Sequence, residues 1–199
     1  MNPPTRHFLG FDLGKDRDFS AIANMAYGLT TDGPLIRPVL DLVSLARIPL
    51  GTEYLDVMER FHAIVTKLLA GPGPPPAVYV AIDAAGPGQF AVELIRRRHP
   101  GVITVPTVLT AGIASNRLKN GKITIPRRDL LANTRCLLES GALRIAGGLK
   151  HRDVLEKEFA AVRPIGGQSA HDDLAIATGL AAWHATRVFP NLINRRHAA

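Results

Sequence analysis

The amino-acid sequence predicts an α/β fold in which helices flank a central, mixed five-stranded sheet that carries an added β-hairpin. Three strand-like segments separated by short turns open the chain, and short turns favour antiparallel pairing. A helical segment with one apolar stripe then leads to a continuously apolar segment, a pattern typical of a crossover to a buried parallel strand. Further along, Asn120-Gly121 lies between two short alternating runs, which indicates a hairpin.

The first three strands are predicted over His7–Leu13, Phe19–Tyr27 and Leu35–Ile48, with a turn at Thr31–Pro34 between the last two. Their short connections imply that each strand pairs with the one before it in an antiparallel orientation.

Thr52 is predicted to cap the helix that follows, because its hydroxyl can accept a hydrogen bond from a first-turn N–H group. The apolar face of this helix comprises Tyr54, Met58, Phe61, Val65 and Leu68. The helix should end at the proline-rich segment 71–76, and Ala77–Ile82 should form the central strand beside the first one. Asp12 and Asp83 would then lie side by side.

The second half alternates helices and strands. The predicted elements are a helix over Phe90–Arg98, a strand over Val102–Val108, a hairpin over Arg117–Ile125 with a two-residue turn at Asn120-Gly121, a helix over Asp129–Ser140 closed by Gly141, a strand over Ala142–Ala146, a helix over Val154–Val162 and a final helix that begins near Ser169.

The overall composition is that of one globular domain, which we expect to span residues 1–199. The chain contains no apolar run near the roughly 20 residues that cross a membrane, and its start lacks a secretion signal, so we expect an intracellular protein. The single cysteine, Cys136, lies among leucines, which favours a buried thiol.

The formal charge of +7 and a pI near 10.1 favour a polyanionic partner. Lys119, Lys122, Arg127 and Arg128 form a basic cluster around the predicted hairpin and could contact a phosphate backbone, although a solvated turn would have the same composition. Arg96–Arg98 ends a helix, where positive charge is favourable for structural reasons alone.

Carboxylates stand at three chemically unusual positions. Asp12 and Asp83 each end an apolar strand, and Asp172-Asp173 opens an apolar helix. A carboxylate at the tip of a buried strand needs a cation, a partner or water to offset its desolvation. Because oxygen ligands suit Mg²⁺ and Mn²⁺, and two such ions can support phosphodiester hydrolysis, the pattern predicts a metal-dependent nuclease.

Structural explanations compete with this interpretation. Asp12 could serve only in a polar turn, and Ser169-Ala-His-Asp172 fits a capping-box spacing. A cap explains one carboxylate but not two. Asp83 precedes Ala84-Ala-Gly-Pro-Gly88, where small residues permit a ligand or a backbone to approach. His171 fits a surface or capping position, and the histidines show no zinc-like spacing.

Four segments together resemble the nuclease domain of the large subunit of tailed-phage terminases, which has a ribonuclease-H-like (RuvC-like) fold. The segments are Gly10-Phe-Asp-Leu-Gly14 with Asp18-Phe-Ser20, Ile82-Asp-Ala-Ala-Gly86, Ile125-Pro-Arg-Arg-Asp-Leu130 with Leu137-Leu-Glu-Ser-Gly-Ala-Leu-Arg-Ile145, and His171-Asp-Asp-Leu174.

The resemblance implies that Asp12 and Asp83 are metal ligands on adjacent strands and that Asp172 and Asp173 supply the remaining ligands. It implies two divalent ions, Mg²⁺ or Mn²⁺, and an endonuclease that cuts double-stranded DNA with little sequence specificity during phage genome packaging. Its partners would be a packaging ATPase, a small terminase subunit and a portal, in the cytoplasm of a phage-infected or prophage-carrying bacterium, with no membrane. Many relatives carry another acidic residue where this chain has Ala175-Ile-Ala177, which leaves the direct ligand open between Asp172 and Asp173.

Two other functions remain possible at this point. The chain could be a non-catalytic DNA-binding or packaging-assembly module that depends on a separate motor partner. An actin-like phosphotransferase also uses an Asp-x-Gly turn but needs two related domains. The sequence lacks the Gly-x-x-x-x-Gly-Lys-[Ser/Thr] motif of a nucleotide motor, so no ATPase domain is predicted.

Overall fold

The computed structural model describes residues 5–14, 16, 18–32, 35–71, 73–162 and 171–193. Its strands are β1 (Arg6–Asp12), β2 (Ser20–Asp32), β3 (Leu35–Ile48), β4 (Ala77–Asp83), β5 (Ile103–Thr110), β6 (Asn116–Arg117), β7 (Ile123–Pro126) and β8 (Leu143–Ile145). Its α-helices are α1 (Tyr54–Leu69), α2 (Gly88–Arg98), α3 (Arg127–Glu139), α4 (Arg152–Ala161) and α5 (Asp173–Val188).

The strands form one mixed sheet in the order β6-β7-β5-β4-β1-β2-β3-β8. The five predicted central strands are confirmed as its middle, β5-β4-β1-β2-β3. Strand β1 pairs antiparallel with β2 and parallel with β4, as the short turn and the helical crossover predict. The hairpin β6-β7 and the short strand β8 extend the two edges to eight strands.

The helices divide between the two faces of the sheet. Phe61 of α1 and Val92 and Ile95 of α2 pack with Leu9 and Phe11 of β1. Because side chains alternate along a strand, Phe8 of β1 points the other way and packs with residues of α3, α4 and α5. Helix α5 is buried along nearly its whole length, which explains why its sequence is apolar all round.

The predicted hairpin is confirmed, but its turn is not the two-residue turn expected at Asn120-Gly121. The type I′ turn that Asn-Gly favours requires positive φ at both residues, and Gly121 has φ of 82° whereas Asn120 does not have positive φ. The N–H of Leu118 donates to the Lys122 carbonyl, and the N–H of Gly121 donates to the Leu118 carbonyl. The loop therefore contains the three residues 119–121.

Two local predictions are wrong for identifiable reasons, and part of a third lies outside the described residues. Thr52 does not cap α1, because Glu53 rather than Thr52 occupies the N-cap position; the Thr52 hydroxyl instead donates to the Pro49 carbonyl at 2.7 Å. Cys136 is exposed, because α3 turns Leu137 rather than Cys136 towards the core. The final helix begins at Asp173, and Ser169, like Gly33-Pro34 of the predicted turn, lies outside the described residues.

Gly141 adopts φ of 68° just beyond α3, as expected for a residue that closes a helix. Within the described residues, each helix is too short or too polar to traverse a lipid bilayer.

Candidate functional site

Neighbouring strands place Asp12 and Asp83 at the same edge of the sheet. Phe11 of β1 is in register with Ile82 of β4, so the next residue of each strand is an aspartate. Parallel neighbours are about 4.8 Å apart, so the two carboxylates share one site. The prediction that they lie side by side is confirmed.

Helix α5 reaches this edge because β1 carries Gly10. A Cβ atom on Gly10 would lie 1.8 Å from the carbonyl oxygen of Ala177, so the helix backbone rests directly on the strand. Asp173 lies four residues before Ala177, about one helical turn nearer the site. Gly88 has a similar role, since its Cβ would lie 1.8 Å from the Asp83 carbonyl oxygen, which confirms that the small residues after Asp83 allow a close backbone approach.

The carboxylates at this edge repel one another. Burial raises the pKa of Asp12 well above its usual value, and the charges of Asp83, Asp173, Asp172 and Asp18 raise it further. These aspartates belong to β1, β4, the start of α5 and the loop between β1 and β2, and their charges interact at one place. Such perturbed acids are typical of functional sites.

The environment of Asp83 combines burial with stabilising contacts. Burial raises its pKa, whereas the N–H of Ala85, the ammonium group of Lys122 and the N–H of Leu109 oppose the rise. The Ala85 N–H donates to Asp83 Oδ1 at 3.0 Å, and Lys122 Nζ donates to the neighbouring Ala84 carbonyl at 3.0 Å. The loop after β4 thus holds Asp83 in place.

Glu158 of α4 caps α5. Its Oε2 accepts a hydrogen bond from the Ala175 N–H at 2.9 Å, and the Leu174 N–H also contacts it. These N–H groups belong to the first turn of α5 and have no partner within the helix. Asp172 is at the N-cap position but makes no side-chain capping bond, so capping does not explain the Asp172-Asp173 pair. Burial raises the pKa of Glu158 to about 7.

The two aspartates of the pair have different arginine partners. Asp172 forms a close ion pair with Arg127. Asp173 is only 3% exposed, and its Oδ2 lies 3.7 Å from Nη2 of Arg47. The same Nη2 lies 3.6 Å from Oε1 of Glu158. Burial raises the pKa of Asp173, and Arg47 opposes the rise.

The geometry of the whole chain can be compared with solved structures. The human cytomegalovirus terminase nuclease domain covers 96% of this chain and 90% of its own, with a TM-score of 0.60 and 14% identity. The large terminase nuclease from thermophilic phage G20c, solved with bound zinc, covers 90% of this chain and 81% of its own, with a TM-score of 0.53 and 19% identity. The nuclease domain of the large terminase from bacteriophage SPP1, solved with bound Mn, covers 90% of this chain and 86% of its own, with a TM-score of 0.50 and 14% identity.

The protein has the fold of a terminase nuclease domain. The ribonuclease-H-like fold class expected from the sequence is thereby confirmed. No protein-family model matches the sequence, and the comparison with curated proteins yields no match either. At these identities the solved structures establish the fold alone.

The four basic residues of the cluster lie in different settings on this terminase nuclease fold. Lys119 is exposed in the hairpin loop, whereas Lys122 reaches back to the loop after Asp83. Arg127 is paired with Asp172. Arg128 contacts Asp129 at 3.2 Å and donates to the Ile113 carbonyl at 3.3 Å. Of these four residues, Lys119 is the one whose charged group is exposed and makes no polar contact with another described residue. DNA binding by the cluster stays a prediction.

The carboxylates at this edge of the sheet are chemically suited to bind hard divalent cations. The carboxylates supply oxygen ligands, and Oδ2 of Asp173 is buried without a hydrogen-bond partner among the described residues. In that same part of the chain, no three Asp, Glu, His or Cys side chains are grouped closely enough to hold an ion as they stand. Arg127 is paired with Asp172 in this conformation, so a cation that used the Asp172 carboxylate would have to displace Arg127.

The sequence analysis missed Glu158 and Arg47. Glu158 lies between Leu155 and Val162 on the face of α4 that packs inward, so an acidic residue at an apolar position was the available signal. Arg47 had no such signal. Its place depends on the register that aligns it with Ala21 of β2 and, across the sheet, with Asp12.

Proposed function

We propose that this protein is a metal-dependent endonuclease that cuts double-stranded DNA with little sequence specificity, in the manner of a terminase during phage genome packaging. The observation that supports the proposal best is the convergence of Asp12, Asp83 and Asp173 from two parallel strands and one helix at a single sheet edge. The fold supports the same activity, because proteins named as terminase nucleases share it.

Asp12, Asp83 and Asp173 would hold the cations, either Mg²⁺ or Mn²⁺, with Asp172 beside them. When bound there, the ions would supply activation of a water and charge stabilisation of the leaving 3′ oxygen. Among the chain's own groups, the N–H of Ala85 orients the Asp83 carboxylate and Lys122 anchors the loop that carries it. Lys119 and Arg128 would contact the phosphate backbone, which positions DNA without reading its bases.

The proposed partners are double-stranded DNA, a packaging ATPase, a small terminase subunit and a portal. The positive net charge supports DNA as the substrate, since a positive field attracts phosphates. A cytoplasmic location in the bacterial host belongs to the same proposal.

The test is a supercoiled-plasmid cleavage assay with Mn²⁺ or Mg²⁺, with EDTA as the metal-free arm. Asp83→Asn should reduce cleavage at least about 100-fold, because it removes a ligand charge at the site of chemistry. The fold should persist, since the amide oxygen of asparagine can still accept the hydrogen bond from Ala85.

Glu139→Gln is the matched control. Glu139 ends α3, twelve residues beyond Arg127 and therefore about 18 Å along the helix from the site edge. Among the described residues its one ion pair is with Arg135, on an exposed surface, so its loss should leave cleavage unchanged. Full activity of Asp83→Asn would refute the assignment. Salt-sensitive DNA binding without cleavage in any metal would instead favour a binding module that depends on a motor partner.

A further inference from the structure

Arg47 occupies an unusual position between two carboxylates. Its Nη2 lies 3.6 Å from Oε1 of Glu158 and 3.7 Å from Oδ2 of Asp173, too far for a hydrogen bond to either oxygen. Both oxygens and Nε of Arg47 are buried, and none of the three has a hydrogen-bond partner among the described residues. The guanidinium also lies 3.7 Å from the centre of the Phe19 ring. The cation is therefore shared rather than committed to one acid.

The nearby ion pair between Arg127 and Asp172 shows the opposite arrangement, in which an arginine is committed to one acid. Arg127 forms a close ion pair with Asp172, and a cation that approached Asp172 would have to displace it. Asp173 faces no such direct competitor as long as Arg47 is also attracted to Glu158. Glu158 cannot itself move towards Asp173, because its Oε2 is hydrogen-bonded to the backbone of Ala175.

We infer that Glu158 is a positioning residue that holds Arg47 away from Asp173 and thereby keeps the Asp173 carboxylate available to a divalent cation. The inference rests on the proposed function. It assigns the direct ligand role to Asp173 rather than Asp172, and it gives Glu158 two tasks, the cap of α5 and the restraint of Arg47.

The main test is Mn²⁺ binding to the full chain by titration calorimetry without DNA, at about pH 8, above the pKa of Glu158. Glu158→Gln keeps an oxygen that can cap Ala175 but loses the charge that attracts Arg47. Arg47 should then pair with Asp173, and Mn²⁺ affinity should fall about tenfold or more, as for other groups that orient a metal ligand. A crystal structure of this variant without metal should show Arg47 hydrogen-bonded to Asp173.

The double variant Glu158→Gln/Arg47→Met removes the competitor and should restore affinity to within about threefold of wild type. Glu156→Gln makes the same change two residues away on α4, at an exposed residue paired with Arg152, and should leave affinity unchanged. If Glu158→Gln does not fold, Arg47→Met still tests the competition on which the inference depends, because it should bind Mn²⁺ at least as tightly as wild type.

Wild-type affinity in Glu158→Gln overturns the inference, as does a double variant that binds as weakly as Glu158→Gln. Weaker binding by Arg47→Met has the same consequence. If wild type binds Mn²⁺ but does not cut DNA, the proposed nuclease activity fails while the inference is still decided by the variants. If wild type binds no Mn²⁺, both are overturned.

Discussion

Gly10→Ala should damage the fold and the site together. The added Cβ would lie 1.8 Å from the Ala177 carbonyl oxygen and 2.8 Å from the Ala181 nitrogen, whereas real Cβ atoms do not come closer than 3.0 Å to such atoms. Helix α5 must therefore move away from β1 by more than about 1 Å, and backbone atoms cannot yield as a flexible side chain would.

The expected loss of stability is about 3 kcal/mol, at the upper end for overpacking, measured as the free energy of unfolding in urea. The shift also separates Asp173 from Asp12, because Asp173 is one turn from the point of contact. A displacement of about 1 Å at a reacting group can cost about 100-fold in rate, so plasmid cleavage by the folded fraction should fall by that factor.

Gly28→Ala is the matched control, since Gly28 lies in β2 and its Cβ would meet only Val39 Cγ2 at 3.9 Å. The free energy of unfolding of this variant should lie within about 1 kcal/mol of the wild-type value, and the variant should cut DNA normally. Equal unfolding midpoints for the two glycine variants would refute the claim that close contact between β1 and α5 positions the site.

Two further predictions follow from single side chains. Burial lowers the pKa of His184 from 6.5 to about 4, so the unfolded chain binds a proton between these values that the folded chain rejects, and stability falls as pH drops below 6.5. Between about pH 7 and pH 4, the free energy of unfolding of wild type should fall by up to about 3 kcal/mol more than that of His184→Phe, measured by urea unfolding. The same pH dependence of stability in both proteins would contradict this. Lys119 is exposed in the hairpin loop, so Lys119→Gln should weaken DNA binding and reduce the slope of log affinity against log salt by about 0.9, without change in stability. An unchanged slope would remove Lys119 from the DNA surface.

Predictions made from the sequence were most successful where one local pattern determines the outcome. Alternating and continuous apolar runs located the five central strands, and the helical crossover before Ala77 established that β4 lies parallel to β1. The adjacency of Asp12 and Asp83 follows directly from that pairing, because parallel neighbours end at the same edge.

Details that depend on competition between local partners were harder to predict. Thr52 has a good capping side chain, but it lies one residue before the N-cap position, and its hydroxyl donates a hydrogen bond to the Pro49 carbonyl. Asn120-Gly121 suits a two-residue turn, but the register of Arg117 with Ile123 leaves room for a longer loop closed by Gly121. In each case several conformations satisfy the local sequence, and the surrounding strands select one of them.

The sequence by itself determined the α/β pattern, the central strands and the acidic residues at their ends, because hydrophobic periodicity and the pairing of strands joined by short turns are set along the chain. Only the tertiary structure decided which group caps α5 and which arginine faces which aspartate. Glu158 and Ala175 are 17 residues apart, and Arg47 and Asp173 are brought together by two different elements. Such contacts depend on how α4, α5 and β3 pack in three dimensions, and no local pattern in the sequence encodes that packing.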